Sequence, residues 1–377
     1  MEVYITGDNI ISALGFTTEE NIAAVKRGES GLRYYEHYLQ VQEPFMASLI
    51  EEGRLLDMTE RLGISRKQYT RFEQIGILSV AFAAAGRDLS DKRTLFILST
   101  TKGNVELLGE EGKGQDNREQ LYLWHSAQEI ARFFHNPNEA LVVSNACISG
   151  VVAQIVAKRC LIAGVCDRVV VVGADVLSEF IVSGFQSFKA LSSGLCRPFD
   201  IARCGLNLGE GAATLIFERG EKTKGQIILA AEGITNDANH ISGPSRTGEG
   251  LYLALKKVME GEECRNIDFL NAHGTATLYN DEMEVIAFER AGLQGVPVYS
   301  LKGYFGHTLG AAGVLETVVA LCGLREGFLP SCKGFEKIGV SRELQVVTCL
   351  EQKKMRQCIK TASGFGGCNA AIRLKLG

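Results

Sequence analysis

A cysteine at position 147 lies in the segment 145–150 (NACISG), where an apolar run meets a stretch of small residues. If a strand ends and a helix begins there, the thiol lies near free amide N–H groups and the positive end of the helix dipole, which favour the thiolate. The main-chain N–H of such a turn can also bind a developing oxyanion. Cys147 is therefore a candidate nucleophile, and an unreactive core cysteine is the alternative.

Two histidines occupy comparable places later in the chain. His273 follows the apolar run 267–272 directly and is flanked by Gly274, Thr275 and Thr277. His307 lies five residues after a lysine and precedes a second stretch of small residues. Side chains at strand ends are where α/β proteins usually build their sites. A fourth segment, 363–369 (SGFGGCN), is a glycine-rich turn.

Phosphate-binding motifs are missing from the sequence. It has no GxxxxGK[ST] segment, and no GxGxxG follows the first predicted strand, so a nucleotide site is not expected. Each of the four segments, taken alone, is also explained by an ordinary core histidine or an ordinary turn.

The composition is that of a globular protein. The chain has 377 residues, 46% hydrophobic and 22% charged, with a net charge of −4, which excludes disordered, collagenous and coiled-coil proteins. The near-neutral balance also argues against nucleic acid or an anionic membrane as the main partner.

The eleven cysteines show no CxxC pair and no histidine spacing typical of zinc sites, so we expect no metal. The number is odd, and the first residues lack the features of a signal peptide, which favours free thiols in a reducing cytoplasm. No apolar run approaches the roughly 20 residues needed to cross a bilayer, so we expect no membrane insertion.

The elements that must position these residues alternate along the chain. We predict strands at 2–6, 94–99, 140–145, 168–172, 226–232, 267–272, 296–300, 344–347 and 360–362. We predict helices at 18–27, 71–86, 149–163, 248–260, 282–291 and 310–324. The strand and helix around Cys147 resemble those around His307, which indicates a duplicated βα layout.

In this order, the four segments resemble the β-ketoacyl-acyl carrier protein synthases of the thiolase superfamily, the Cys-His-His ketosynthases. Further matches are RPFD at 197–200, GEG at 209–211, DANH at 237–240, and Asp281. The resemblance implies an α/β, thiolase-like fold in which two similar βαβαβαββ halves form a five-layered α-β-α-β-α sandwich. Residues 1–224 would carry the nucleophilic cysteine, and residues 225–377 the two catalytic histidines.

The resemblance also implies a reaction. Cys147 would attack an acyl thioester and hold the acyl group, and malonyl-acyl carrier protein would then lose carbon dioxide to give the attacking enolate. The N–H groups of Cys147 and Phe365 would form the oxyanion hole. His273 and His307 would hydrogen-bond the thioester carbonyl on which negative charge develops, without a metal.

Supporting roles follow from the same resemblance. Lys302 would hold the first histidine, with Glu284 and Glu316 as acidic partners, because a buried ammonium without a carboxylate is costly. Thr275 and Thr277 would hydrogen-bond the pantetheine arm.

Phe365 would be the gate that opens the site to malonate. No permanently bound cofactor is implied, because the substrates arrive on the phosphopantetheine of acyl carrier protein. That carrier is acidic, so we expect a basic docking patch, for which Arg66, Lys67 and Arg71 are candidates. The resemblance further implies a cytoplasmic homodimer, or a heterodimer with a related ketosynthase-like subunit, and no nucleic acid partner.

The sequence departs from the family pattern at several places. The chain is a few dozen residues shorter, and the loss lies before the nucleophile. Ile148 stands where a small or hydroxyl residue is common, Ser363 where a phenylalanine is usual, and Cys204 where an acid is usual. These departures leave open the acyl-chain length, the dimer surface and the pathway, whether housekeeping lipid synthesis or a polyene or pigment.

Two alternatives remain. A CoA-dependent thiolase would use a second active-site cysteine where this chain has His307. A chain-length-factor subunit, which pairs with an active ketosynthase, would usually lack the nucleophile that Cys147 supplies.

Overall fold

The computed structural model describes residues 2–41, 43–109, 115–220 and 225–377. Up to residue 220 the elements are β1 (Glu2–Ile11), α1 (Thr18–Lys26), β2 (Arg33–Tyr35), β3 (Phe45–Ser48), α2 (Glu52–Arg61), α3 (Arg71–Ala84), β4 (Thr94–Ser99), α4 (Leu123–Phe133), β5 (Leu141–Val143), α5 (Ser149–Ile162), β6 (Arg168–Asp175), α6 (Glu179–Ser187), β7 (Leu208–Gly209) and β8 (Gly211–Gly220).

From residue 227 the elements are β9 (Ile227–Asn236), α7 (Glu249–Val258), β10 (Phe269–Asn271), α8 (Leu278–Arg290), β11 (Val298–Tyr299), α9 (Lys302–Phe305), α10 (Ala312–Glu326), β12 (Phe328–Leu329), β13 (Glu351–Gln352), β14 (Gln357–Gly364) and β15 (Cys368–Leu376). Short 3₁₀ turns lie between some of these elements, among them Leu309–Ala311 just before α10.

One connectivity occurs twice in the large sheet. Its strand order is β11-β10-β14-β15-β9-β1-β8-β6-β4-β5. Outward from the centre, one unit has the order β1-β8-β6-β4-β5 and the other β9-β15-β14-β10-β11. In chain order within each unit, both place the first, fifth, fourth, second and third strand side by side. Each has two antiparallel and then two parallel pairings. The two five-stranded units meet where Tyr4 pairs with Ile228 and Ile5 with Ile227. The predicted duplication is confirmed.

Helices fill both faces and the space between the two units. α3 packs on β1, β6 and β8, α4 packs on β4 and β5, and α7 packs on β9 and β15 beside α8. α5 and α10 pack against each other and contact strands of both units, so they form the middle layer. A helix with apolar neighbours on all sides must itself be apolar all round, as these two are. The five-layered sandwich is confirmed.

Some sequence predictions need correction. Residues 344–347 form no strand of their own, because only Val346 makes a bridge, to Val298. The strands β8 and β15, each near the centre of the sheet, were missing from the prediction. The proposed domain boundary at 224/225 stays a prediction, and residue 224 lies outside the described residues. Within the described part of the chain, no helix is both long and apolar enough to span a membrane.

Candidate active site

Cys147 lies in a tight turn between β5 and α5. The turn forces Ala146 to a φ of 45°, a left-handed conformation that is uncommon for a residue with a side chain. Two hydrogen bonds fix it: the amide N–H of Asn145 donates to Ser149 Oγ at 2.7 Å, and Ser149 Oγ donates to the Ala146 carbonyl at 2.6 Å. The turn therefore holds the cysteine at the start of α5, as the sequence predicts.

The structure brings the three predicted catalytic side chains together. The Cys147 sulfur and one ring nitrogen from each of His273 and His307 all lie within 4.8 Å of one another. The two imidazole rings meet edge to face, with centroids 5.1 Å apart and an interplanar angle of 82°. We call these three residues the Cys-His-His cluster. Its first member comes from the first half of the fold and the two histidines from the second.

Both imidazoles are buried and neutral. Burial lowers the pKa of His273 and His307 well below 6.5, and the positive charges of Lys302 and Lys360 lower the pKa of both rings further. Neither ring nitrogen of His307 has a hydrogen-bond partner among the described residues. A neutral imidazole carries one N–H donor, so the pair can bind a carbonyl oxygen on which charge develops.

The environment of the Cys147 thiol differs from the sequence expectation. Burial raises its pKa from 9.0 to about 12, and the positive charge of Lys302 opposes this shift only in part. The resting site therefore holds a neutral thiol rather than the thiolate that a helix N-terminus alone would favour. To act as a nucleophile, Cys147 needs a base, and the two neutral imidazoles of the cluster are within reach.

Glu284 supports His273 through the main chain. It was expected to pair with Lys302, but its carboxylate accepts the amide N–H groups of His273 at 2.8 Å and Gly274 at 2.7 Å. The neighbouring Asp281 accepts the amide of Thr275 at 3.0 Å. Two buried acids on α8 thus fix the loop that carries the first histidine.

Of the two acids expected to pair with Lys302, only Glu316 does so. Glu316 lies between two buried lysines, with Lys302 at one carboxylate oxygen and Lys360 at the other. The two ammonium groups lower the pKa of Glu316 although burial opposes them, so the carboxylate stays ionised. Lys360 was not among the predicted site residues, although a lysine at the start of the predicted strand 360–362 was an available signal.

A further acid missed in the sequence is Asp175, the last residue of β6. Its buried carboxylate accepts the hydroxyl of Thr100 at 2.8 Å and the amide of Gly310 at 2.6 Å. Gly310 follows His307 by three residues, so Asp175 ties the turn after His307 to the first half of the fold. An acid that ends a β-branched run (RVVVVGAD) was the signal for it.

A cavity of about 500 Å³ leads to the Cys-His-His cluster. Thr275 and Thr277, the residues predicted to bind the pantetheine arm, line this cavity. Their two hydroxyls are hydrogen-bonded to each other at 2.9 Å. Lys189 and His240 also line the cavity. Most of the lining is apolar, which suits a chain of methylene groups and amides.

Phe365 rests against two aromatic rings at this cavity. Its ring centroid lies 5.9 Å from Phe185 and 5.4 Å from Phe188, at the end of α6. Glycines flank it on both sides, and a Cβ added to Gly364 would lie 3.1 Å from the amide nitrogen of Cys147. The glycine therefore leaves room beside one of the two predicted oxyanion-hole donors.

The predicted docking residues lie elsewhere. Arg66 and Arg71 both form ion pairs with Glu52, and Arg71 also donates to Glu210 at 2.9 Å. Neither these arginines nor Lys67 lines the cavity. Their role toward a carrier protein stays a prediction, and Arg71 has a structural role whatever its other function.

The chain is similar to known proteins over almost its whole length. The family model of the β-ketoacyl synthase N-terminal domain matches residues 89–223, and that of the C-terminal domain matches residues 227–336. The chain is 28% identical to 3-oxoacyl-[acyl-carrier-protein] synthase 2 of Vibrio harveyi, over 99% of this chain and 98% of the relative. It is 31% identical to the enzyme of the same name from Rhizobium meliloti, over 65% of this chain and 62% of the relative.

Solved structures share the fold across the whole chain. A chain of the complex between a ketosynthase and its chain length factor from Xenorhabdus doucetiae superposes with a TM-score of 0.88 at 24% identity. The match covers 100% of this chain and 98% of that chain. The ishigamide ketosynthase/chain length factor superposes with a TM-score of 0.86 at 25% identity and covers 100% and 99%.

Proposed function

The chain belongs to the β-ketoacyl synthase family and is an acyl-condensing enzyme, and we propose that it joins an acyl group held on Cys147 to a malonyl unit with loss of carbon dioxide. The observation that carries this proposal is the Cys-His-His cluster, whose three reactive atoms lie within 4.8 Å of one another at a mostly apolar cavity.

The first step transfers the acyl group. An imidazole of the cluster accepts the Cys147 proton, the sulfur attacks the acyl thioester, and the new S–C bond replaces the bond to the carrier thiol, which takes the proton. The N–H groups of Cys147 and Phe365 bind the oxyanion of this step.

The second step forms the carbon–carbon bond. The malonyl C–CO₂ bond breaks, and its electron pair passes into an enolate whose oxygen accepts hydrogen bonds from His273 and His307. The enolate carbon attacks the acyl thioester on Cys147, and the sulfur leaves as a thiolate. A proton from solvent then restores the thiol and replaces the proton that the carrier thiol took in the first step. Binding the enolate rather than the malonyl ground state is what accelerates this step.

The substrates are proposed to arrive on acyl carrier protein, with phosphopantetheine as the only carried group and no resident cofactor. The relatives are named 3-oxoacyl-[acyl-carrier-protein] synthase 2, and a solved neighbour is a type II acyl-carrier protein in complex with its ketosynthase. Thr275 and Thr277 line the cavity, which supports their proposed role of binding the amide groups of the arm.

A dimer in the cytoplasm is the proposed assembly, with a second copy or a related subunit as the partner. β5 is the last strand of the large sheet and pairs with β4 alone among the described strands, so its outer edge is free. Leu141 on this edge is exposed. An edge with unpaired amides and an exposed apolar side chain is suited to strand pairing with another chain.

A partner subunit without activity is the second candidate, since two similar solved structures contain chain length factors. The intact cluster favours the catalytic reading over this one. His307, in the place where a thiolase would carry a cysteine, favours condensation with loss of carbon dioxide over a thiolase reaction.

The test is intact-mass analysis of the protein after incubation with a panel of acyl-carrier proteins, followed by malonyl-carrier protein. We expect one acyl group on Cys147 and then a β-ketoacyl product with release of carbon dioxide. Cys147→Ala should abolish both. Cys264→Ala should abolish neither, because Cys264 is half-buried and does not line the cavity. Product formation by Cys147→Ala would overturn the proposal, and capture without condensation would favour the partner subunit.

A further inference from the structure

Lys360 is a buried lysine that the reaction above does not use. It lies on β14, and its side chain is 0% exposed. Its ammonium donates to the carbonyl of Thr361 at 2.7 Å and lies 3.4 Å and 3.5 Å from the carbonyls of Ala272 and Asn271. The Glu316 carboxylate is its ionic partner. These oxygen partners are what allow the charge to be buried, because an unpaired ammonium would move to solvent or lose its proton.

These partners lie at the base of the catalytic loop. Asn271 ends β10, and Ala272 immediately precedes His273. The ammonium therefore binds main-chain carbonyls next to the first catalytic histidine. The Asn271 side-chain amide donates to the carbonyl of Glu316 at 2.8 Å, which joins the same strand end to α10. Lys360 thus sits where β10, α10 and β14 converge.

We propose that Lys360 is a positioning residue for condensation: its ammonium fixes the end of β10 and the Glu316 carboxylate, and thereby fixes His273. This inference rests on the proposed function, because it assigns a role toward the enolate that the two histidines bind. Lys360 touches no reacting atom, so it acts through His273.

The charges around Glu316 support this role. Lys302 and Lys360 share one carboxylate, so the trio carries one excess positive charge beside the imidazole pair. Burial is the largest cause of the low pKa of His273 and His307, and both ammonium groups lower these pKa values further. Two lysines therefore disfavour a third positive charge on the rings, which must stay neutral to donate without protonating the enolate.

The first test is Lys360→Met, which keeps the length and loses the charge. Because a small misplacement of a catalytic group costs about 10- to 100-fold in rate, we expect malonyl-carrier-protein decarboxylation and condensation to fall by that factor. Acyl capture on Cys147 should change by less than about threefold, since the turn that holds the thiol belongs to the other half of the fold and His307 can still accept the thiol proton.

The matched control is Lys158→Met. Lys158 is a largely buried lysine paired with Glu232 at 2.7 Å, on α5 but outside the cavity. The Lys158→Met variant should capture the acyl group and decarboxylate malonyl-carrier protein at rates near those of the wild-type protein.

The second test is chemical rescue. Lys360→Ala should leave a space lined by the same oxygens, and ammonium or methylammonium ions added to this variant should restore part of the lost decarboxylation. The ions should not accelerate the wild-type protein or Lys158→Met. If Lys360→Met does not fold, Lys360→Ala refolded with methylammonium replaces it.

The outcomes separate the two proposals. A wild-type protein that makes no β-ketoacyl product overturns the proposed function. With an active wild type, unchanged decarboxylation in Lys360→Met overturns the positioning role. Equal losses of capture and decarboxylation without rescue also overturn it, because they indicate a structural role only.

Discussion

Gly150 and Gly313 face each other where α5 and α10 cross in the middle layer. A Cβ on Gly150 would lie 2.9 Å from the Cα of Gly313 and 2.7 Å from the amide nitrogen of Val314. Backbone cannot yield at such distances as a flexible side chain can, so the two helices approach this closely only because both positions lack side chains. One helix starts beside Cys147 and the other follows His307, so this crossing sets the spacing of the Cys-His-His cluster.

The first prediction concerns this crossing. Gly150→Ala should destabilise the fold by about 1–3 kcal/mol, because an added methyl group in a closely packed interior forces backbone shifts. Condensation should fall as well. The measurement is the free energy of unfolding in urea. Gly184→Ala on α6 is the matched control: an added Cβ meets nothing within 4 Å, and removing a helical glycine should stabilise by about 0.5–1 kcal/mol. Equal effects of the two variants would contradict the prediction.

The second prediction concerns the reactivity of the thiol. Because burial raises the pKa of Cys147 to about 12, its alkylation by iodoacetamide should accelerate about tenfold for each pH unit between pH 7 and 10. Peptide mass analysis identifies the labelled cysteine and gives the rate. A rate that levels off near pH 7 would instead indicate the stabilised thiolate expected from the helix N-terminus.

The third prediction concerns stability and pH. Burial raises the pKa of Asp175 from 3.8 to about 6 although several hydrogen bonds oppose it. The folded state therefore binds this proton more tightly than the unfolded chain. This contribution to stability is complete below the unfolded-state pKa and is lost as the pH rises through about 6, with a magnitude on the order of 3 kcal/mol.

Asp175→Asn removes the titrating group, so the loss of stability between pH 4.5 and 7 should become shallower even if the variant is less stable throughout. Urea unfolding at several pH values measures the slope. Part of the slope should remain, because burial also raises the pKa of Asp281 to about 6 and of Glu284 to about 7. A slope identical to that of the wild-type protein would refute the assignment to Asp175.

The fourth prediction concerns metals. One thiol and two neutral imidazoles within 4.8 Å of one another form a donor set that zinc prefers. Micromolar Zn²⁺ should therefore inhibit acyl capture, and EDTA should reverse the inhibition while leaving the untreated enzyme unchanged. An enzyme already acylated on Cys147 should resist zinc, because the thioester sulfur is no longer a thiolate ligand. Loss of activity with EDTA alone would contradict the expected absence of a metal.

The fifth prediction concerns Phe365, which the family resemblance implies to be a gate. Phe365→Ala removes two ring contacts, with Phe185 and Phe188, each worth about 0.5–1.5 kcal/mol beyond area burial. Carbon dioxide release and product formation should then become uncoupled, because water and malonate reach the site before the acyl group is in place. The measured quantity is the ratio of carbon dioxide to β-ketoacyl product. Phe180→Ala, an exposed residue of α6 that does not line the cavity, should leave this ratio unchanged.

The sequence was informative where function constrains residue type at short spacing. Cys147, His273, His307 and Lys302 stand in segments whose order alone points to the family, and the echo between the segments around Cys147 and His307 indicated the duplicated fold. The helix at 149–163 and the strand at 94–99 were also predictable, because burial on all sides leaves an apolar run with clear ends.

Partnerships between distant residues were not predictable. Glu284 and Glu316 were expected to share one lysine, but only the folded chain shows that the first accepts main-chain amides and the second joins Lys302 to Lys360. β8 was missed because its ten residues follow a glycine-rich segment and alternate only weakly. The pKa of Cys147 depends on burial, which comes from elements far along the chain.

The repeated strand order has a consequence for the origin of the site. Cys147 and His307 occupy matching places, each after the outermost strand of its unit and before a helix of the middle layer. If the two units descend from one ancestor that paired with itself, the same position once faced its own copy across a twofold axis. Fusion of the copies would then have allowed that position to diverge into a nucleophile in one unit and a hydrogen-bond donor in the other. The two units thus share one arrangement of strands, while the residues at the matching positions perform different chemistry.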